Sequence, residues 1–321
     1  MLVGLFVVLT PLLPLIVLVT LAADGVRILV RRRASGITRL TLFGWWYVAT
    51  VNLALLLLLG VWVLSGFGLL RERRVEWTFG LQTWWAHALF AGFMRLFGAT
   101  LEVEGTEVLR PGPILLFMRH ASIADVLLPN VIVTGQHGLR LRYVLKKELI
   151  LDPAIDIAGN RLPNHFVLRG SGDGAVEADR VGNLAAGLGP EEGVIIYPEG
   201  SRFSVQKRSR AIAFLEKRDP DLAGRAARLR HTLPPRLGGP LALLERGEGL
   251  DVVFLGHVGF DGMAEIKDIL SGGLVHTRIR VGIWRVPTSE VPRGRREQTD
   301  WLFDRWEEMD RWVADHLPES A

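Results

Sequence analysis

Three apolar stretches crowd the first hundred residues, and the pattern then changes to short alternating runs. Residues 1–23 carry no charge. About 20 such residues suffice to span a bilayer as a helix. Pro11 and Pro14 predict a kink within it. A cleaved signal peptide is the competing reading, against which stand the length of the run and the absence of a basic leader. A second apolar run covers 45–70, opening on Trp45 and Trp46. The pattern thus predicts two hydrophobic segments, about 2–23 and 45–70, within an N-terminal membrane hairpin of residues 1–75. Residues 76–100 are different. Leu81, Trp84, Trp85, Ala88, Leu89 and Phe93 recur near helical spacing, with Gln82, His87 and Arg95 between them. That spacing predicts an interfacial amphipathic helix, with His87 at its surface.

From residue 101 to 321 the pattern is globular. "LEVEGTEVL", "GPILLFMRH", "LRLRYVLKKELI", "GVIIYPEG", "LDVVFLGHVGF" and "HTRIRVGIWRV" read as strands bounded by turn residues. "GAVEADRVGNLAAGL", "SRAIAFLEKR" and "QTDWLFDRWEEMDRWVADHL" have helical spacing. Strands interleaved with helices predict an α/β fold, a mixed β-sheet flanked by helices and preceded by the membrane helices.

Composition sharpens this picture. The 321 residues are 49% hydrophobic, with ten Trp and no Cys. Thiolate metal sites, disulfides and cysteine nucleophiles are therefore excluded. The net charge is +4 and the pI about 9.7, which points to an anionic partner. The arginines cluster at 27–39 and 71–74, on the flanks of the apolar runs. They suit an anionic membrane better than nucleic acid, for which no groove-reading motif is present. Because both flanks are basic, charge does not choose between a hairpin that crosses and one that dips into a single leaflet.

Two segments carry candidate chemistry. In "FMRHASIADVLLP", His120 precedes Asp125 by a strand-to-helix turn's length. A carboxylate on one imidazole nitrogen fixes the tautomer and leaves the other nitrogen as a base. In "IIYPEGSRFS", a buried-looking strand ends at Glu199, Gly200, Ser201 and Arg202. Glycine there allows close backbone approach, and the planar guanidinium fork suits phosphate. Ser122 between His120 and Asp125 leaves open a serine nucleophile. The histidines are too scattered for a metal site.

Together and in this order, these segments resemble the glycerophospholipid acyltransferases, the lysophosphatidic acid acyltransferase superfamily. The resemblance covers roughly residues 101–312. It includes the His-four-residues-Asp block, an aromatic residue before arginine (Phe166 and Arg169 in "NHFVLRG"), and Glu-Gly-Ser-Arg for the usual Glu-Gly-Thr-Arg. "KRSRAIAFLEKR" and "LRHTLPPRLGGPLALLE" are similar to the branch with lysocardiolipin- and lysophosphatidylinositol-type enzymes. Two departures stand out: Arg119 occupies a position that is often Asn, and the strand "LDVVFLGHVGF" lacks the proline usual in a fourth block. His257 in that strand is expected to be structural.

The resemblance implies transfer of an acyl group from acyl-CoA or acyl carrier protein, as co-substrate, to the free hydroxyl of a lysophospholipid, with 1-acylglycerol-3-phosphate the expected acceptor. It implies His120 as base and Asp125 as its partner. Glu199, Gly200, Ser201, Arg202 and Arg169 become phosphate-binding candidates, and neither cofactor nor metal is expected. The expected place is a bacterial inner membrane, with the site on its cytoplasmic face. Another lysophospholipid or a glycolipid is the alternative acceptor, and a non-catalytic, membrane-anchored lipid-binding protein is the rival from another class.

Overall fold

The computed structural model describes residues 2–31, 36–168, 174–261 and 273–317. Arg169, a phosphate-binding candidate, lies outside the described residues, as do Arg32 and Arg33 of the basic cluster.

The N-terminal part is three long helices: α1 (Leu2–Arg31), α2 (Ile37–Leu64) and α3 (Arg71–Phe97). The first two are long and apolar enough to cross a membrane. They run antiparallel. Asp24 on α1 accepts the first backbone N–H groups of α2, from Ile37 and Thr38, at 3.2 and 3.0 Å, which satisfies donors that a helix start leaves orphaned. Trp45 donates to the hydroxyl of Thr10, and Asn52 to the carbonyl of Leu2. The second apolar run therefore folds as a helix that begins eight residues before Trp45 and stops at Leu64. Residues 65–70 form a turn, with Phe67 and Leu69 exposed.

α3 starts at Arg71 and buries Phe79, Ala86, Leu89, Phe90, Phe93 and Phe97. Its polar positions do not all face outward. Gln82 donates to Asn130, and the His87 ring lies against Gly135, so His87 is a packing residue and not a surface one.

The rest is a seven-stranded mixed sheet. Its strands are β1 (Thr100–Glu104), β2 (Ile114–Met118), β3 (Arg140–Lys146), β4 (His165–Val167), β5 (Glu192–Ile196), β6 (Asp251–Val258) and β7 (Arg278–Val286). Their spatial order is β1-β7-β6-β2-β5-β3-β4. The run β6-β2-β5-β3-β4 is parallel throughout, and β7 pairs antiparallel to β6. The fold is thus the expected mixed sheet with flanking helices.

Strand alternation explains the layering. Ile114, Leu116 and Met118 of β2 face one core with Val253 and Leu255 of β6; Leu115 and Phe117 face the other with Val252 and Phe254. β2 is buried along its whole length, as a central parallel strand should be. The first core is covered by α3 and a π-helical turn at Pro129–Gln136. The second is covered by α5 (Gly174–Gly182), α8 (Gly238–Arg246) and α9 (Arg295–His316). α4 (Pro153–Arg161), α6 (Val205–Glu216) and α7 (Pro220–Arg228) complete the described helices. The basic end of the third expected strand, 147–151, is a 3-10 turn that leads into α4.

α4 is capped by Asp152, whose carboxylate accepts from Ala154 N and Ile155 N. It lies along α2. Ala154 and Ala158 pack against Val51, Ala54 and Leu58. At one end Tyr47 donates its hydroxyl to Asp152, and at the other Arg161 donates to the carbonyl of Leu58. The middle of α2 is therefore docked on the globular part.

Candidate active site

β2, β3, β4, β5 and β6 all end at one edge of the sheet, where parallel strands commonly build a site. His120 follows β2, and Asp125 lies in a 3-10 turn at Ala124–Leu127. His120 Nδ1 is 3.0 Å from Asp125 Oδ1 and 3.2 Å from Oδ2. The other ring nitrogen, Nε2, has no hydrogen-bond partner among the described residues. Asp125 has no exposed surface. Its Oδ2 accepts the backbone N–H groups of Ala121 and Ser122 at 2.7 and 2.8 Å. Burial by itself would raise the Asp125 pKa, but the hydrogen bonds and charges of His120 and His257 outweigh it and hold the carboxyl well below the usual range. Asp125 thus remains an anion facing the imidazole.

Ser122 is buried, and its hydroxyl accepts the N–H of Ala124 at 3.3 Å. It closes the turn and makes no bond to His120, so a Ser–His–Asp nucleophile has no support in the geometry.

The second block is wrapped around His120. β5 continues through Tyr197 and Pro198 into Glu199, and Gly200 takes a left-handed conformation at φ 65°, where a Cβ would be strained. Glu199 Oε1 accepts the N–H of His120 at 2.9 Å, and Phe203 N donates to the carbonyl of His120 at 3.1 Å. Both backbone groups of His120 are thus held by the 199–203 turn. Glu199 Oε2 accepts Leu233 N at 2.8 Å. Its two oxygens are spent on backbone donors inside the protein, and the residue is 2% exposed. That geometry gives it a scaffolding task in place of the expected phosphate contact. Burial pushes the Glu199 pKa up to about 8, opposed by Arg119 and the two backbone N–H bonds and reinforced by the charge of Asp125.

Arg202 is half-buried, and its guanidinium has no partner among the described residues. The backbone N–H groups of Ser201 and Arg202 likewise have no protein acceptor among the described residues. Tyr197 packs its ring 4.8 Å from that of His120. Burial, then the Asp125 charge, raises its hydroxyl far above the ordinary value, so it stays neutral. No group of three or more metal-ligating side chains occurs among the described residues.

Two contributors escaped the sequence reading. His257 is fully buried, with Nε2 3.4 Å from Asp125 Oδ2. Arg119 is 1% exposed and donates to the carbonyls of His257 and His231 and to Asp261. Arg119 stands where the sequence departs from the pattern it resembles, and His257 lies in the strand that lacks the expected proline. Phe166, on β4, packs against Gly159 of α4, three strands away from β2 in the sheet.

Four of the five segments that leave these strand ends expose an apolar side chain: Ile123 after β2, Leu151 after β3, Leu168 after β4 and Val205 after β5.

Comparison with known families decides what this geometry belongs to. Residues 100–230 match the family model described as Acyltransferase, and residues 268–320 match that of the Acyltransferase C-terminus. The chain carries an acyltransferase domain. The first match contains His120, Asp125 and the Glu199–Arg202 turn, and ends in the loop whose next residues are tied to Glu199 and Asp310. A solved structure, the 1-acyl-sn-glycerophosphate (LPA) acyltransferase PlsC from Thermotoga maritima, superposes with a TM-score of 0.50 at 15% identity, covering 84% of this chain and 97% of that one. That likeness is one of fold. No curated protein matches the chain in sequence.

Proposed function

We propose that this acyltransferase moves a fatty acyl group from acyl-CoA to the free hydroxyl of a lysophospholipid, with 1-acylglycerol-3-phosphate as the acceptor. The observation that carries the proposal is the buried Asp125 bonded to His120 Nδ1, with the Glu199–Arg202 turn clasping the same histidine.

In this reading His120 Nε2 takes the proton of the acceptor hydroxyl as its oxygen attacks the thioester carbonyl. General-base assistance of this kind is worth roughly 10²–10⁴ in rate. Asp125 fixes the tautomer and stabilises the imidazolium. The tetrahedral oxyanion needs preorganised donors, and the unpaired N–H groups of Ser201 and Arg202 are the candidates. Collapse of the intermediate breaks the C–S bond, and the imidazolium returns its proton to the departing thiolate. The Arg202 guanidinium binds the lipid phosphate, and Arg169 is its proposed companion. Acyl carrier protein is the alternative donor.

The reaction belongs at a membrane. Two helices are long and apolar enough to enter one, and the exposed side chains of Ile123, Leu151, Leu168 and Val205 give the site an apolar rim. A hairpin that crosses the bilayer freely would draw Asp152 and Arg161 of α4 into hydrocarbon with it, because both are bonded to the middle of α2. Immersing ionisable side chains costs several kcal/mol each. A hairpin partly immersed in one leaflet, with the sheet edge against the headgroups, avoids that cost. The site is then on the cytoplasmic face, where the donor is.

The test is purified full-length protein, labelled acyl-CoA and a panel of lysolipids, with products identified by mass. Turnover of lysophosphatidate to phosphatidate is expected. Turnover of another lysolipid alone overturns the acceptor, and no acylation of any lysolipid overturns the reading.

A further inference from the structure

His257 is a buried titratable group that a two-residue catalytic pair leaves unused. It sits on β6, the neighbour of β2, and has no exposed surface. Its Nε2 is 3.2 Å from the carbonyl oxygen of Arg119 and 3.4 Å from Asp125 Oδ2. Both neighbours are acceptors, so Nε2 carries the proton. Nδ1 has no partner among the described residues. Asp125 is consequently flanked by two imidazoles, with His120 Nδ1 3.0 Å from Oδ1 and His257 Nε2 on the Oδ2 side.

His257 is in turn fixed by Arg119. Arg119 N donates to the carbonyl of Leu255, its guanidinium donates to the carbonyl of His257, and its own carbonyl faces the His257 ring. The guanidinium is anchored on its other side by Asp261 and the carbonyl of His231. Arg119 and His257 thus bond to each other in both directions, each side chain to the other's backbone carbonyl.

We propose that His257 is a positioning residue for acyl transfer, a second imidazole that holds Asp125 in the orientation His120 requires and shares its negative charge. This rests on the reading of His120 as the general base. Donors on Oδ2 leave Oδ1 as the oxygen free for the catalytic ring. Without His257, Asp125 keeps only the backbone N–H groups of Ala121 and Ser122 on Oδ2 and concentrates its charge on His120. The other charged and titratable groups packed around the pair, among the described residues, are Arg119 and Asp261 at the ends of β2 and β6, His231 in the loop before α8, and Glu199 and Tyr197 after β5.

The test compares wild-type full-length protein with His257→Leu and His257→Gln in steady-state acyl transfer. Alongside, carbethoxylation of His120 by diethyl pyrocarbonate is followed by mass spectrometry as a function of pH. Leucine is expected to lower kcat on the order of tenfold, the worth of one hydrogen bond to a charged group, with the acceptor KM unchanged. Glutamine, whose amide N–H can replace Nε2–H, should recover most of that loss. The carbethoxylation midpoint should move to higher pH in the leucine variant, because a carboxylate with one donor fewer holds the imidazolium more tightly. If leucine does not fold, His257→Asn, too short to reach Asp125, takes its place beside glutamine. An unchanged kcat, a loss carried by KM, a glutamine variant no better than leucine, or an unmoved midpoint each overturn the proposal. Wild-type protein that acylates no lysolipid refutes the enzymatic reading instead, and the carbethoxylation midpoint still reports whether His257 acts on His120 through Asp125.

Discussion

Replacing Glu199 with glutamine should flatten a pH dependence of stability that the wild-type protein carries. The Glu199 carboxyl is buried under the His120 turn, and its pKa in the fold is about 8 against an ordinary 4.5. Below 4.5 the group is protonated whether the chain is folded or not, and its contribution is fully present. Between 4.5 and 8 the folded protein binds the proton and the unfolded chain does not. Stability from this group therefore falls as pH rises, by about 1.4 kcal/mol per unit, and is lost once pH passes 8. From pH 5.5 to 7.5 the change is about 3 kcal/mol. For a domain of 150–250 residues, that corresponds to a Tm shift of roughly 6–12 °C. Glutamine keeps the size and one acceptor but has no proton to lose. Its cost, one backbone N–H of His120 or Leu233 left without an acceptor, is about 1–3 kcal/mol and does not vary with pH. The assay is the melting temperature of both proteins in one detergent across pH 5.5–8.5, taken as the difference between them, which cancels every other titrating group. Wild type should lead at low pH and lose its lead steadily as pH rises. A difference that stays constant within 2 °C would refute the reasoning, since it would mean that Glu199 ionises as freely in the fold as in water.

Other perturbations separate the roles assigned at the site. His120→Ala should lower kcat by roughly 10²–10⁴ while lysolipid binding persists; measurable binding with full turnover would show that the ring is not the base. Arg202→Ala should raise the acceptor KM on the order of tenfold and leave kcat within a few-fold, and Arg202→Lys should recover only part because a point charge cannot replace the fork. A kcat loss with KM unchanged would move Arg202 to the reacting centre. Leu151→Asp should slow turnover of an acceptor embedded in anionic vesicles and spare that of a short-chain acceptor free in solution, measured side by side; equal slowing would mean that the apolar rim does not face lipid.

Much of this architecture was legible in the pattern of residues, for identifiable reasons. β2 and β5 are short and apolar, and each is followed by a polar block, so both the strands and the sheet edge that holds the candidate site were readable. α4, α7 and α8 were not. Each carries a proline in its first turn, Pro153, Pro220 and Pro240, which reads as a chain break in the sequence, and α8 begins inside "PPRLGG", which reads as a loop. α4 owes its helix to the cap from Asp152 and to alanines packed on α2. Tertiary contact, more than local preference, makes it helical. The polar positions of α3 were harder to place: Gln82 bonds Asn130 of the π-helical turn that follows Asp125, while His87 bonds the carbonyl of Thr83 in its own helix and packs its ring on Gly135 of that turn.

The same distinction divides the residues of the candidate site. His120 and Asp125 are five positions apart, and their contact is a local matter of one turn, which a sequence can display. Glu199 meets His120 across 79 positions because β2 and β5 are adjacent and end together. That adjacency is a property of the sheet order, and no spacing along the chain encodes it. His257 is further removed still. It reaches Asp125 from β6 on the opposite side of β2, and in the sequence it is a histidine inside an apolar run, where a satisfied core residue is the ordinary expectation. Only the sheet shows that β5 and β6 flank β2 and therefore bring one carboxyl group and one imidazole to bear on the same two-residue pair from opposite sides. The turn after a central strand is thus held from both neighbours. A base that must keep its geometry while a long-chain lipid enters and leaves from a membrane is best placed on such a turn, since neither flank can shift without breaking a bond to the backbone of His120 or to the carboxylate of Asp125.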